Sequence, residues 1–183
     1  PGRGEGQAVL AIDAALIEFI VREGVTWSGV EKDGPTPDWS DHDLYLKELN
    51  QRGIYGQYGL TFTPAWAATP EHLARITEEK APAWKHSMTP PRIEAWRDYC
   101  RKAMEHIRQE GIRIQFIEIW NEPDLYGFWR GTTEEYLEVV RVASQEIRAV
   151  DPSLQVMTGG FAIISGHGGQ ANNPQLIPRT VLE

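Results

Sequence analysis

An amide and a carboxyl group stand side by side at Asn121 and Glu122, directly after an apolar stretch over 112–120 and directly before Pro123. The stretch is rich in β-branched and aromatic residues, as in a strand that is covered on both faces. Because proline has no N–H to give to a sheet, Pro123 is expected to end the strand. Both polar side chains are therefore predicted at the carboxyl end of a buried strand, where parallel α/β folds bind their ligands. We expect the chemistry of the chain there.

The elements that must position this strand alternate between helix and strand. Strands are predicted over 19–22, 54–63, 112–120 and 154–158. Helices are predicted over 8–18, over 41–52, from Pro90 to Gly111, from Thr132 to Asp151 and from Pro174 onwards. Thr132 and Glu135 are predicted to form a capping box at the start of the fourth. Residues 65–89 are expected to form a long connection, and residues 25–31 a loop or extended segment. Such alternation predicts a parallel sheet with right-handed crossovers.

Long segments after the predicted strands favour a (β/α)8 TIM barrel over a doubly wound sheet. Four predicted strands are half of a barrel, and a full barrel takes roughly 250 residues. The expected fold class is therefore α/β, with an incomplete TIM barrel over residues 8–183 and a flexible, glycine-rich N-terminal segment over 1–7. The start at Pro1 without Met also suggests a chain that is trimmed, processed or incomplete at that end.

Composition argues against several classes of function. The 183 residues are 41% hydrophobic and 24% charged, which is ordinary for a soluble globular domain. A net charge of -8 without any run of Lys and Arg argues against a nucleic-acid partner. No apolar run approaches the roughly 20 residues of a membrane span, so no membrane partner is expected. Cys100 is the single cysteine, so no intrachain disulfide is possible. The sequence therefore does not distinguish a secreted protein from a cytoplasmic one.

Two residue types remain to be assigned. The seven tryptophans are an unusually large number, and tryptophan in loops often binds sugar rings, although filling a core is an equally good interpretation of any single one. The five histidines show no metal-ligand spacing, so neither a metal nor another cofactor is predicted.

The segment from Trp120 to Pro123, followed by 128–132, resembles the acid/base signature of clan A glycoside hydrolases. Three more segments resemble that clan in order and spacing: 19–31 its second barrel strand, 63–67 the end of its third, and 151–160 the passage into its fifth. The resemblance covers about 19–162 and is nearest to family 39 or a family 5-like relative.

This resemblance implies a retaining mechanism with two carboxylates acting on β-linked glycosides or polysaccharides. It implies that Glu122 is the general acid/base, that Asn121 hydrogen-bonds the sugar 2-hydroxyl and that Arg22 lies near the nucleophile. Four further residues are implied to line sugar subsites, Trp66 first and the others more weakly: Trp66, Trp27, Glu31 and Trp129.

The second carboxylate, the nucleophile, lies at the end of the seventh strand in that clan, and this sequence stops at Glu183. The two carboxyl groups of a retaining enzyme are about 5–5.5 Å apart. The chain alone is therefore expected to be inactive. Its activity would belong to a longer parent, or to a complex with a second chain or domain that completes the barrel.

Other interpretations stay open. Glu122 could be a structural carboxylate at a strand end, and the chain a non-catalytic carbohydrate-binding or scaffold protein built on a partial barrel. Glu118 and Arg22 are charges within apolar runs, and a mutual buried ion pair is the better interpretation for Glu118 than catalysis. A phosphate-binding barrel is the least favoured, because the glycines at 159–160 and 165–169 lack the Lys-Ser/Thr ending of a phosphate loop.

Overall fold

The computed structural model of the chain describes residues 26–162. The flexible segment predicted over 1–7, the helices over 8–18 and from Pro174, the strand over 19–22 and Arg22 itself lie outside these residues. No helix within 26–162 is long and apolar enough to cross a membrane.

Three parallel strands form the sheet of the described part. They are β1 (Gly56–Leu60), β2 (Ile114–Ile119) and β3 (Gln155–Thr158), in the order β1-β2-β3. Leu60 pairs with Ile119, and Ile119 pairs with Thr158, so the three carboxyl ends lie at one edge. Each strand falls within or closely matches its predicted range, which confirms an α/β fold with a parallel sheet.

Helices fill the segments between the strands. They are α1 (Trp27–Val30), α2 (Ser40–Gln51), α3 (Pro70–Glu78), α4 (Ile93–Gln109) and α5 (Thr133–Val150), with 3-10 turns at Ala65–Ala67 and Ala83–Met88. The capping box predicted before α5 is present: Thr132 accepts from the Glu135 N–H, and the Glu135 carboxylate accepts from the Thr132 N–H. This reciprocal pair satisfies two N–H groups that a helix start leaves unpaired.

Two segments differ from their predicted form. Residues 65–89 are not one long loop, because they contain α3 and both 3-10 turns. The signals for α3 are local: Thr69 accepts from the His72 N–H as the N-cap, and Pro70 occupies the first turn. The helix spans nine residues and buries His72 and Ile76, and its cap and its proline were signals available in the sequence. Trp27–Val30, expected to lie in a loop or an extended segment, forms one helical turn.

The core lies between one face of the sheet and the helices α4 and α5. Tyr58 and Leu60 from β1, with Ile117 and Ile119 from β2, are fully buried in it. Trp96 of α4 joins the two helices, since its indole N–H donates to the Val139 carbonyl of α5 at 2.9 Å. Strand side chains alternate between faces, so Gln57, Phe116 and Glu118 lie on the face opposite these helices.

Candidate active site

The chain bends sharply where β2 ends. Trp120 has φ of 71° and Glu122 has φ of 42°, so the backbone is left-handed on both sides of Asn121. Side chains larger than glycine rarely adopt this conformation, and it persists only where the surroundings hold it. Such strain in a native structure is concentrated at functional sites. The predicted strand end is therefore a constrained bend.

Trp120 anchors the bend in the core. Its backbone N–H donates to the Leu60 carbonyl at 3.0 Å, and its indole N–H donates to the Phe128 carbonyl at 2.8 Å. The ring is fully buried, edge-to-face with Trp129 at 4.8 Å and with Phe62 at 5.7 Å between centroids. A large indole fixed in this way prevents the bend from relaxing by rotation of Trp120.

Gly159, which follows β3, packs directly against this backbone. Its N–H donates to the Ile119 carbonyl at 2.7 Å. A Cβ at position 159 would lie 2.9 Å from the Trp120 carbonyl carbon and 3.1 Å from the Asn121 nitrogen. Only glycine permits this close approach. The Tyr136 hydroxyl of α5 lies over the same contact, 3.2 Å from the Gly159 nitrogen, and burial raises the pKa of Tyr136.

Glu122 is held through its backbone. Its N–H donates to the Gly160 carbonyl at 3.1 Å, and its own carbonyl accepts from the Leu125 N–H at 3.0 Å. Its side chain is half-buried at the carboxyl edge of the sheet, as is that of Asn121. Asp124 closes the turn, since its buried carboxylate accepts from the Ala162 N–H at 3.0 Å. The bend thus presents a partly accessible carboxyl group on a backbone that is fixed at both ends.

Glu118 lies beneath the bend with 5% of its surface exposed. One carboxylate oxygen accepts from the Gly160 N–H at 2.9 Å, and the other accepts from the Gln57 side-chain amide. The predicted ion pair with Arg22 stays a prediction, because Arg22 lies outside the described residues. Strand parity does not relate Glu118 to Glu122, because β2 ends at Ile119 and the backbone is left-handed from Trp120.

The residues expected to line sugar subsites have different surroundings. Glu31 is only 1% exposed, and its carboxylate accepts from the Trp27 indole at 2.7 Å and from Lys102 at 3.1 Å. Trp27 is fully buried and stacks on Tyr99 with centroids 5.0 Å apart. Both side chains are therefore committed to the core of the described part and present no surface to a ligand.

Trp129 is also fully buried, and its indole N–H donates to the Thr132 carbonyl at 3.0 Å. Trp66 differs, because it is half-buried. Its indole N–H donates to the Glu31 carbonyl at 2.6 Å, and the Arg92 guanidinium lies 5.8 Å from its ring centroid. Of the four subsite candidates, Trp66 alone has an accessible part among the described residues.

The family follows from comparison with known proteins. The sequence model of the family "Glycosyl hydrolases family 39" matches residues 35–167, which is more than half of the chain. The chain belongs to glycosyl hydrolase family 39. The resemblance to clan A is thereby confirmed, with family 39 as its correct branch. Membership places the chain among glycoside hydrolases whose fold is the TIM barrel.

Individual family 39 relatives match parts of the chain. A β-xylosidase of Geobacillus stearothermophilus is 37% identical over 89 residues, which is 45% of this chain and 17% of the relative. The solved structure of a monomeric β-xylosidase from Caulobacter crescentus CB15 is 29% identical with a TM-score of 0.60, covering 84% of this chain and 32% of the other. A GH39 enzyme from Xanthomonas axonopodis pv. citri is 27% identical with a TM-score of 0.61, covering 84% and 31%. The chain thus spans a third or less of these relatives.

Two features of this family 39 chain were not anticipated from its sequence. Phe62 and Phe128 are half-buried beside the bend, with ring centroids 6.4 Å apart. They add aromatic surface next to Trp120, whereas only tryptophans were predicted from the sequence as sugar-binding aromatic residues. Their positions just after a strand and just before Trp129 were the available signals.

The second is a cluster of His42, Asp43 and His106. Asp43 Oδ1 lies 3.1 Å from His42 Nδ1 and 2.6 Å from His106 Nε2, and Asp43 Oδ2 accepts from Lys47 at 3.0 Å. Two ligand atoms of one tetrahedral metal would be about 3.3 Å apart, given metal–ligand bonds of about 2.0 Å. The contact of 2.6 Å between Asp43 and His106 is shorter than this, so it is a hydrogen bond. Burial acts to raise the pKa of Asp43, but hydrogen bonds from His106, Lys47 and His42 outweigh it and lower the pKa to about 2.

Proposed function

We propose that this chain supplies the acid/base half of a retaining glycoside hydrolase that cleaves β-glycosidic bonds. Glu122 is the general acid/base in this proposal. The observation that carries it is the bend itself, where a half-buried carboxyl group stands at a carboxyl strand end on a left-handed backbone fixed by Gly160. Family 39 membership supports the same residue, because the matched range 35–167 contains the segment 120–123 that resembles the acid/base signature of the clan.

Glu122 has two tasks in the reaction. It first protonates the glycosidic oxygen as the bond to the leaving group breaks, while a nucleophilic carboxylate attacks the anomeric carbon and forms a covalent glycosyl-enzyme. It then takes a proton from the water that releases the sugar. The nucleophile comes from sequence outside these 183 residues, in a longer parent or in a second chain or domain that completes the barrel. This reaction requires no cofactor or metal.

The remaining site residues serve the sugar. Asn121 hydrogen-bonds the 2-hydroxyl, a contact that tightens as the ring gains positive charge. Arg22 lies near the nucleophile and favours its ionised form. Trp66 lines a subsite with its accessible part, whereas Trp27, Glu31 and Trp129 act from the core by fixing Trp66 and Trp120. The relatives compared are mainly β-xylosidases, so a β-xyloside is the substrate to test first.

The test is Glu122→Ala in the complete enzyme, assayed on alkyl and aryl β-xylosides. An acid is needed most where the leaving group is poor, so turnover of alkyl xylosides should fall by about 10²–10⁴ and that of activated aryl xylosides much less. Glu134→Gln, at an exposed carboxylate in the first turn of α5, is the matched control and should retain activity.

Three outcomes oppose the proposal. Equal losses on both substrates would remove the acid role from Glu122. A Glu122→Gln enzyme that hydrolyses alkyl glycosides normally across the pH range would do the same. Sugar binding by the complete wild-type protein without turnover of any aryl glycoside would favour a carbohydrate-binding protein instead.

A further inference from the structure

Glu118 is a carboxylate within an apolar strand, between Ile117 and Ile119 on β2. Its register partner on β1 is Gly59, which has no side chain, so the carboxylate has space over the sheet. Burying such a group is unfavourable unless hydrogen bonds replace its water. Both of its oxygens are accordingly hydrogen-bonded, one to the Gly160 N–H and one to the Gln57 amide.

Gly160 connects this buried carboxylate to the bend above it. Its N–H donates to Glu118 Oε1 at 2.9 Å, and its carbonyl accepts from the Glu122 N–H at 3.1 Å. Gly160 is therefore hydrogen-bonded to the Glu118 side chain through its N–H and to the Glu122 backbone through its carbonyl. The contact matters because Glu122 has φ of 42°, which a glutamate leaves readily once its neighbours release it.

We propose that Glu118 is a positioning residue for the acid/base. It fixes the backbone of Gly160, and Gly160 fixes the backbone from which the Glu122 carboxyl group projects. The inference rests on the proposed function of Glu122 and extends it to a residue with no contact to substrate. A purely structural carboxylate would have the same contacts, so the two roles are separated by kinetics.

Two substitutions separate them in the complete enzyme. Glu118→Gln retains an oxygen that accepts from the Gly160 N–H, and the Gln57 amide can rotate to accept from the new NH2 group. Glu118→Ala removes the acceptor altogether. We expect Glu118→Ala to lower kcat on alkyl xylosides about tenfold, with a smaller loss on activated aryl xylosides and a KM within about twofold, because a displaced acid fails mainly where protonation is needed. Glu118→Gln should restore kcat to within about threefold of wild type.

Val142→Ala is the matched control, because Val142 is fully buried in α5 and makes no contact with the bend among the described hydrogen bonds. We expect it to lower Tm through lost core packing, and kcat measured well below Tm should stay unchanged on both substrates. If Glu118→Ala does not fold, Glu118→Asp replaces it. That side chain is one methylene shorter and withdraws from Gly160, and it should show the same loss on alkyl xylosides.

Several results would overturn the inference. They are equal losses on both substrate classes, a Glu118→Gln enzyme as impaired as Glu118→Ala, or a loss of kcat no larger than that of Val142→Ala. Glu122→Ala is run beside these variants. If it depends on the leaving group and Glu118→Ala does not, the positioning role fails alone. If Glu122→Ala shows no such dependence, the proposed acid/base fails and the positioning role fails with it.

Discussion

Replacing Gly159 by alanine should damage the candidate active site through a single methyl group. The new Cβ would lie 2.9 Å from the Trp120 carbonyl carbon, 3.0 Å from its oxygen and 3.1 Å from the Asn121 nitrogen. All three atoms are backbone, so no side chain can rotate away. Either the backbone of Trp120 and Asn121 must move away from Gly159, or the residues that follow β3 must move away from that backbone.

The size of the effect follows from these distances. A comfortable carbon contact needs about 3.4 Å or more, so the two segments must separate by about half an ångström. Overpacking of this kind costs about 1–3 kcal/mol of folding stability. A misplacement of 1 Å at a catalytic group can cost about 10²-fold in rate, so half of that displacement should lower kcat on alkyl xylosides about tenfold.

The assay pairs Gly159→Ala with Gly160→Ala in the complete enzyme. At position 160 a Cβ would lie 3.8 Å from Glu118 Oε1, which is an ordinary contact. Gly160→Ala should therefore retain kcat and Tm nearly unchanged. Steady-state kinetics on alkyl and aryl xylosides, with thermal unfolding of each variant, measures both effects.

The reasoning would be refuted in either of two ways. A Gly159→Ala enzyme with wild-type kcat and Tm would show that the contact at Trp120 does not constrain the bend. Equal damage from both variants would show that the close approach of Gly159 to the Trp120 backbone is not the reason for the loss.

Four further predictions concern stability and are measured by urea unfolding. Burial lowers the pKa of His42, so the unfolded chain binds a proton that the folded chain does not, and stability should fall as pH falls below about 6.5. His42→Phe should reduce this slope, to which His72 also contributes because burial lowers its pKa as well; an unchanged slope would contradict the prediction. Asp43 is stabilised as a carboxylate, so a second loss should begin below pH 3.8 and continue towards about 2. Lys102→Met leaves the buried Glu31 carboxylate without the cation that pairs with it, and should lower the free energy of unfolding by about 1–3 kcal/mol. This is less than for a fully buried pair, because Lys102 is 27% exposed. The check is the double variant with Glu31→Gln, which should lose less stability. Thr132→Ala should cost about 1 kcal/mol, and Thr132→Ser should recover most of it.

Elements with strong local signals were predictable from the sequence. The β-branched stretch before Pro123 gave the position of β2 within a few residues, because hydrophobic pattern and proline act over a few neighbouring positions. The Thr132 and Glu135 capping box predicted the start of α5 for the same reason. The helix α3 was missed, although Thr69 as its N-cap and Pro70 in its first turn are local signals of a helix start.

The candidate site was predictable in its residue types and only partly in its geometry. Asn121 and Glu122 were recognised from their place after a strand. The burial of Trp27 and Trp129 in the core was not predictable from the sequence. Tryptophan suits a core and a sugar-binding surface equally well until its neighbours are known. The pairing of Asp43 with His106 joins residues 63 positions apart, a separation over which no local pattern carries information.

The sequence by itself determined the order of the three described strands and of the longer helices α2, α4 and α5, the end of β2 and the carboxyl group placed there. Only the tertiary structure decided that this carboxyl group stands on a left-handed backbone, pressed against Gly159 and tied through Gly160 to Glu118. The physical reason is that strand ends and helix caps depend on bonds between near neighbours. A strained backbone persists only when residues distant in sequence pack around it.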